Sequence, residues 1–405
     1  MNSTARTRTA GRRVRLAFGG MALATTVLLT ACSSGSDSST STDLKKSATS
    51  EVAKGAETLV TSTMGKFSYS AGDFPVKPDQ IKPYSSWKGP TSAPTPAAKA
   101  NIQVIVCSKS AAACVSSANG VVAAAKALGW SANIVDGGGT PQGYSQAFDT
   151  AISRKPDAII GIAVPTLAVG DKLAEARAKG IITVVNGDTQ PKSGTLYDAY
   201  VSFRMPLMES LLAYAEIART NGKADSIVVT DPSAPSLIEA MGQYKKVMAT
   251  CSGCRTTDVS WKITDASDPT KVNSIITGAL AKNPNATSLV LPYSVGLPAA
   301  VQAVASAGKA DQVKILVKDA DSAGLEAVSS GQVLYNAGAS PAWAGWAAVD
   351  QVIRGLAKKP YLAGDKTGLG VVTFDKATVP ADTDIDKWSG MVDFASEYKK
   401  IWGAS

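Results

Sequence analysis

Four of the five cysteines stand in two close pairs, Cys107/Cys114 and Cys251/Cys254. Four thiols allow three pairings, of which local pairing is the simplest. Cys251 and Cys254 also have the spacing of a Cys-x-x-Cys redox motif, whose first cysteine usually lies at a helix N-terminus that lowers the pKa of its thiol. Here a helical pattern precedes Cys251 and a strand-like one follows Cys254. We therefore predict two local disulfides, Cys107–Cys114 and Cys251–Cys254.

The chain contains no histidine. This excludes Ser-His-Asp and Cys-His nucleophile systems and removes a common zinc ligand. The glycine run at 137–139 lacks the lysine of a phosphate-binding loop and is interpreted as a turn. With no defensible acid/base pair either, the sequence predicts a protein that is not an enzyme and that holds no cofactor or metal.

The fifth cysteine, Cys32, follows an N-terminus typical of exported proteins. Five arginines and no acidic residue precede an uncharged run at 16–31. That run is short for a membrane span, which needs about 20 residues, but it fits the apolar core of a cleaved signal. The ending Leu29-Thr30-Ala31-Cys32 resembles the lipobox of bacterial lipoproteins, in which the cysteine is acylated, for example with palmitate, and becomes the first mature residue. The alternatives are an ordinary secretory signal and a short membrane anchor.

Most of the net charge of +8 belongs to this N-terminal segment. Removal of residues 1–31 takes away five arginines and no acids, so 41 basic residues fall to 36 against 33 acidic ones, a net charge of +3. No basic stripe with interleaved aromatic residues remains, so no nucleic-acid partner is predicted. Export also places the cysteine pairs in an oxidising compartment, where structural disulfides persist.

The first hundred residues divide by composition. Residues 1–31 form the predicted lipoprotein signal peptide, and residues 32–65 a Ser/Thr-rich tether with a short helix at 48–63. Residues 66–100 contain six prolines, which oppose a helix. The aromatic side chains in this segment favour packing along a domain surface, while a disordered stalk is equally compatible; they are Tyr69, Phe74, Tyr84 and Trp87.

From about residue 101, apolar runs of strand length alternate with segments of helical spacing. The alternation runs to about residue 200, breaks, and resumes from 205 to 356. Such a pattern indicates parallel sheets covered by helices on both faces. We predict an α/β fold with two doubly wound, Rossmann-like parallel-sheet lobes, which bind ligands beyond the carboxyl ends of their strands.

Several short segments, in their order and spacing, resemble type I periplasmic binding proteins, the ribose-binding-protein-like branch of solute receptors for ABC importers. The similarity covers about residues 100–375. It is carried by Ala124-Ala125-Lys126-Ala127-Leu128-Gly129-Trp130, Lys155-Pro156-Asp157-Ala158-Ile159-Ile160, Ala178-Lys179-Gly180-Ile181, Tyr200-Val201-Ser202, Lys318-Asp319-Ala320-Asp321 and Gly331-Gln332-Val333, with Pro341 after it.

The resemblance implies two lobes joined by three crossovers that close by hinge motion on a ligand in the cleft between them. We place the crossovers near 200–204, 337–341 and 368–373. Lobe one is then expected at 101–200 plus 342–367, and lobe two at 205–336 plus 371–405.

The implied function is that of a monomeric, lipid-anchored extracytoplasmic protein on the cell membrane. It would bind a small polar solute, a sugar or polyol, and deliver it to ABC permease subunits. The alternative is a sensing module of the same fold that signals to a membrane receptor.

The resemblance places ligand residues at the ends of predicted strands. Asp319 follows strand 313–318, where sugar-binding relatives carry an aspartate that accepts two sugar hydroxyls. Its alternative role is to cap the next helix, which Asp321 can do as well. Asn186 and Asp188 follow strand 181–186, where relatives carry an Asp-Arg pair; the alternative is a turn around the intervening glycine.

The first strand-to-helix loop departs from the family pattern. Ser108, Lys109 and Ser110 are its polar candidates, but relatives often carry stacking aromatic residues where this chain has alanines at 111–113. Either another aromatic residue contacts the apolar face of the sugar, or the ligand is not a typical hexose or pentose.

Three aromatic residues are candidates for that contact: Trp343, Tyr293 and Trp261. Each fits packing in the core equally well. Asp231, with Glu239 nearby, follows a lobe-two strand where relatives place an arginine. An acidic residue there hints at a polyol or a cationic ligand.

Overall fold

The structure is a computed structural model that describes residues 38–70, 75–188, 194, 196–387 and 391–404. The predicted signal peptide, Cys32 and Phe74 lie outside these residues. No helix within the described ranges is long and apolar enough to cross a membrane.

The chain enters through a helix and a small antiparallel ribbon. Helix α1 (Ser38–Thr63) begins earlier than the predicted 48–63. It buries Ala53, Ala56 and Leu59, which are spaced three residues apart and so share one face. The ribbon pairs β1 (Ser68–Tyr69) with β2 (Lys82–Pro83).

Lobe one is a parallel sheet with helices on both faces. Its strand order within the described residues is β4-β3-β5-β6-β7. All five residues of β5 are buried, which explains why this strand is a continuous apolar run and not an alternating one. The elements are β3 (Asn101–Val106), α2 (Ala112–Ala127), β4 (Ser131–Asp136), α3 (Pro141–Ser153), β5 (Ala158–Ile162), α4 (Gly170–Ala178), β6 (Ile182–Asn186) and β7 (Ala199–Val201).

Lobe two repeats this arrangement with the strand order β13-β12-β11-β10-β8-β9 in the part of the chain described. Its elements, together with helix α11 of lobe one and the C-terminal helix α12, are α5 (Met205–Arg219), β8 (Asp225–Thr230), α6 (Pro235–Met248), β9 (Arg255–Ser260), α7 (Ile263–Ala266), α8 (Pro269–Lys282), β10 (Ser288–Leu291), α9 (Leu297–Ser306), β11 (Lys314–Lys318), α10 (Ser322–Ser329), β12 (Tyr335–Gly338), α11 (Pro341–Leu356), β13 (Val372–Phe374) and α12 (Phe394–Trp402). The predicted fold class is therefore confirmed.

Three connections join the lobes. The chain leaves lobe one between β7 and α5, returns between β12 and α11, and leaves again before β13. Strand β13 runs antiparallel to β12, so it is an exception in an otherwise parallel sheet.

The C-terminal helix does not lie where we expected it. We assigned residues 371–405 to lobe two, but α12 packs on α11, which itself packs on α2 of lobe one. Trp402 Nε1 donates to Asp350 Oδ1 over 2.9 Å, and the Trp346 and Trp402 rings stack 5.4 Å apart. The aromatic residues of α12 recur every four residues and so form one face that matches the aromatic face of α11.

Residues 64–70 and 75–100, which we call the extension, pack against the body of the protein. Around Trp343 of α11 lie Phe67, Tyr84 and Trp87, with ring centroids 5.7–5.9 Å away. Trp130 Nε1 donates to the carbonyl of Ala97, which secures the end of the extension to lobe one. Of the two alternatives for this segment, the described residues show the packed one.

The extension also contacts the connections between the lobes. Arg204, at the first connection, donates to the carbonyl of Ser70, and its guanidinium lies 4.8 Å from the centre of the Tyr69 ring. At the third connection, Ser68 and Val371 exchange two backbone hydrogen bonds of 2.6 and 2.9 Å. Tyr84 donates to the carbonyl of Gly368 over 2.7 Å. The extension is thus attached to the first and third connections between the lobes.

Candidate functional site

A cleft of about 490 Å³ lies between the lobes at the carboxyl ends of their strands. This is where doubly wound sheets collect ligand contacts, and the volume is within the range of small-molecule sites. Its polar lining comes from Ser117, Tyr144, Asn186 and Asp188 of lobe one and from Asp231, Ser233, Ser236, Tyr293, Ser294, Lys318, Asp319 and Asp321 of lobe two.

Asn186 and Asp188 reach the cleft from the end of β6. The amide nitrogen of Asn186 donates to Ser117 Oγ over 2.7 Å. Its buried amide oxygen has no hydrogen-bond partner among the described residues. Asp188 accepts from the backbone and hydroxyl of Thr166, at 2.8 and 2.7 Å. The bond to Ser117 orients the Asn186 amide, so lobe one offers the buried amide oxygen of Asn186 as an acceptor.

Asp231, at the end of β8, organises the lobe-two side. It accepts hydrogen bonds from Ser233, from the backbone of Ile263 at 2.9 Å and from the Tyr293 hydroxyl at 3.0 Å. Burial and this carboxylate raise the pKa of Tyr293 far above its ordinary value, so the phenol stays protonated. Because protein donors occupy Asp231, its clearest role is to position Tyr293 in the cleft wall.

Asp319 lies in a cluster of ionisable groups with Lys318 and Glu209. The Lys318 ammonium, with a side chain only 2 % exposed, is bonded to the Asp319 carboxylate. Glu209 on α5 is fully buried, and neither carboxyl oxygen has a hydrogen-bond partner in the described part of the chain. Desolvation raises its pKa to about 8, with Lys318 opposing and Asp319 adding to the rise.

Asp321 caps the following helix, as we anticipated for one of these two aspartates. Its carboxylate accepts from the backbone of Gly324 over 2.9 Å at the start of α10. Burial, with a further contribution from Asp319, raises the pKa of Asp321. Asp319 is therefore free of the capping role and faces the cleft.

Several predicted site residues do not line the cleft. Ser108, Lys109 and Ser110 lie on the outer side of their loop, where Ser108 bonds Ser110 and the Lys109 backbone donates to Asp136. Glu239 is exposed on α6. We leave all four out of the proposed ligand-binding set.

The two tryptophans are core residues. Trp343 is fully buried among the aromatic side chains of the extension and α12, because it faces them from the first turn of α11. Trp261 is 2 % exposed and lies behind Tyr293, with ring centroids 6.4 Å apart. It supports the cleft wall without forming part of its surface, so neither tryptophan remains in the proposed set.

Sequence reasoning missed Tyr144, Ser117, Lys318 and Phe203 in the cleft lining. Tyr144 lies in the first turn of α3, directly after the 137–139 glycine turn, which was the available signal. Burial, together with the charge of Asp231, raises the pKa of Tyr144 to about 12. Tyr144 and Tyr293 are the tyrosines that line the cleft in the described part of the chain.

Both predicted disulfides are present in the structure. Cys107 pairs with Cys114, and Cys251 with Cys254. The first borders the cleft, whereas the second lies next to Gly222 of lobe two, where Cys251 Sγ is 3.3 Å from the glycine carbonyl.

A family model described as a periplasmic binding protein domain matches residues 102–360. The chain therefore belongs to this family of extracytoplasmic solute-binding proteins, which are not enzymes. The expected resemblance is confirmed. A search of curated protein sequences finds no match.

Solved structures of the same fold are similar to this chain at low identity. One is an ABC transporter solute-binding protein from Agrobacterium vitis with bound α-D-tagatopyranose, at 20 % identity over 71 % of this chain and 98 % of that chain, with a TM-score of 0.61. Another from Agrobacterium vitis has bound allitol, at 18 % identity over 69 % of this chain and 97 % of that chain, with a TM-score of 0.58. A third, from Burkholderia graminis, is in complex with D-arabinose (20 %, 70 % and 98 %, 0.62). These likenesses show the fold alone.

Proposed function

We propose that the cleft binds a small neutral sugar or polyol, and that the protein is the lipid-anchored receptor of an ABC importer. The observation that carries this is one cleft lined by oxygen acceptors from both lobes, chief among them Asn186, whose buried amide oxygen has no partner among the described residues, and the Asp319 carboxylate. Such acceptors match the hydroxyl donors of a polyhydroxy compound.

The charges of the cleft support a neutral ligand over an acidic one. Four carboxylates border it, those of Asp188, Asp231, Asp319 and Asp321. The one ammonium among the described lining residues, that of Lys318, is already bonded to Asp319. A phosphorylated or carboxylated sugar would meet more negative than positive charge, which disfavours its binding.

Thermal-shift measurements on the purified protein test this proposal. D-tagatose, allitol and D-arabinose are the first probes, with glucose 6-phosphate as the acidic comparison. A neutral compound at 100 times its Kd should stabilise the protein by about 2.7 kcal/mol. Stabilisation by the phosphorylated sugar alone, or by none of a wider set of sugars and polyols, would contradict it.

Anchoring depends on Cys32, which lies outside the described residues. Replacement of Cys32 by alanine should move the protein from the membrane fraction to the soluble fraction, because the acyl chains provide about 0.8 kcal/mol per buried CH₂. Fractionation followed by immunoblotting measures this, and a Ser34→Ala variant is the matched control. A Cys32→Ala protein that stays membrane-bound after normal signal cleavage would contradict the lipoprotein assignment.

The importer role is tested by uptake of the identified probe. Cells lacking the protein should lose uptake of the radiolabelled compound at low concentration, and the wild-type gene should restore it. Normal uptake with a lost transcriptional response to the same compound would favour the sensing alternative.

A further inference from the structure

The Cys107–Cys114 disulfide is part of the wall of the cleft. Both cysteines border the cavity, as do Ala111, Ala112 and Ala113 in the loop that they close. The cysteines are 7 % and 8 % exposed, so each presents a small surface to the cavity. The result is an apolar patch of lobe one, which we call the alanine platform (residues 107 and 111–114).

Helix α2 begins on this platform without a capping side chain. Its N-cap is Ala111, which makes no side-chain hydrogen bond. Serine, threonine, aspartate or asparagine at that position typically stabilises a helix relative to alanine. Cys114 is the third residue of α2, and its disulfide ties the first turn to Cys107 at the end of β3. The covalent link therefore holds a helix start that lacks a cap.

The remaining contacts of the loop do not hold the platform. The bond of 2.8 Å between Ser108 and Ser110 and the bond of 3.1 Å from the Lys109 backbone to Asp136 fix its outer residues. The path of the first turn of α2 is defined by the backbone bonds from Ala111 to Ser108 and from Val115 to Ala111, and by the disulfide.

We propose that the Cys107–Cys114 disulfide is a ligand-positioning element, which holds the alanine platform against the carbon skeleton of the bound solute. This inference rests on the proposed sugar- or polyol-binding function and specifies its apolar contact. The alanine methyl groups and the disulfide form a nonpolar surface, without an aromatic ring, for the C–H groups of the ligand. Because the disulfide orders the platform before the ligand arrives, binding does not carry the entropic cost of ordering the platform.

Paired alanine variants test the proposal. In Cys107→Ala/Cys114→Ala the wall stays apolar and only the covalent link is lost. The matched control is Cys251→Ala/Cys254→Ala, which removes the disulfide that does not border the cleft. Calorimetry uses D-arabinose, or allitol or D-tagatose if that compound gives the larger thermal shift.

Kd should rise at least about tenfold in the Cys107/Cys114 variant, since ordering one or two backbone residues on binding costs that much or more. The Cys251/Cys254 control should bind within twofold of the wild type. Reduction of the wild-type protein with a phosphine should reproduce the loss, and the Cys107/Cys114 variant should not respond further. Unchanged affinity, or an equal loss in both variants, would overturn the proposal.

A second measurement needs no ligand. Amide hydrogen exchange at residues 111–117 should be faster in the Cys107/Cys114 variant than in the wild type, while the control leaves these amides unchanged. Equal exchange rates would show that the disulfide does not hold the platform and would refute the inference. If no neutral probe binds the wild type, the proposed function fails, and the exchange experiment still decides whether the disulfide orders the platform.

Discussion

Replacement of Asp319 by alanine is expected to weaken binding of the proposed neutral sugar or polyol by roughly 2–4 kcal/mol, about 30- to 1000-fold in Kd. The carboxylate lines the cleft, and its side chain is 14 % exposed. Its loss removes a charged acceptor for ligand hydroxyls. Calorimetry on the wild type and the variant measures the change.

The same substitution should also lower the stability of the ligand-free protein. Lys318, with a side chain 2 % exposed, would lose its carboxylate partner and remain as a buried charge. Asp319 also has φ of 106°, a backbone conformation that alanine adopts only with strain. An aspartate in an open, solvated cleft would have no such buried partner, and its removal would change the stability of the folded protein little.

Asp319→Asn separates the two effects. Asparagine tolerates positive φ better than alanine does and keeps one acceptor oxygen, so affinity should fall less than in the alanine variant. Asp311→Ala, an exposed position on the same lobe, is the control and should change neither Kd nor Tm. Unchanged affinity in Asp319→Ala would remove this residue from the binding site and leave it a structural partner of Lys318.

Glu209→Gln is expected to change how stability depends on pH. The pKa of Glu209 is raised from 4.5 to about 8 in the folded protein. Between these values the folded state binds a proton that the unfolded state has lost, so stability falls as pH rises from about 4.5 and is lowest above 8. Each unit of difference corresponds to about 1.4 kcal/mol, so the total effect is on the order of a few kcal/mol.

Denaturant unfolding at pH 5.5 and pH 9 measures this effect. The groups whose charges act on Glu209 are Lys318 and Asp319, and Tyr244 lies within range of its charge. Glutamine cannot ionise, so the variant should exceed the wild type in stability at pH 9 and differ little from it at pH 5.5. Glu326→Gln, on the exposed side of α10, is the matched control. A constant difference across the range would mean that Glu209 does not titrate on unfolding.

The residues predicted best were those whose position depends on local sequence. Asn186, Asp188 and Asp319 each follow a strand, and parallel strands bring their carboxyl ends to one edge. Asp321 comes directly before helix α10, and this position indicated that it could cap the helix. The disulfides could be predicted from the spacing of the cysteines, because local pairing is the simplest of the three pairings that four thiols allow.

The residues predicted poorly depend on contacts between distant segments. Trp343 was a fair candidate next to a crossover, but three rings of the extension and Phe394 of α12 enclose it. The position of α12 on lobe one depends on the bond between Trp402 and Asp350, which no periodicity reveals. The glycine turn at 137–139 indicated the start of α3, but residue types alone did not show that Tyr144 would line the cleft.

The attachment of the extension to the connections between the lobes has a consequence for the order in which the chain can fold. The extension is made among the first hundred residues, but its partners are synthesised near the end: Tyr84 bonds the carbonyl of Gly368, 284 residues later, and Ser68 pairs with Val371. Contacts of such sequence separation form late, because the intervening chain must first be available and closed into a loop. Phe67, Tyr84 and Trp87 therefore lack their contact with Trp343 until α11 has been synthesised, and their packing against it is a late step in folding.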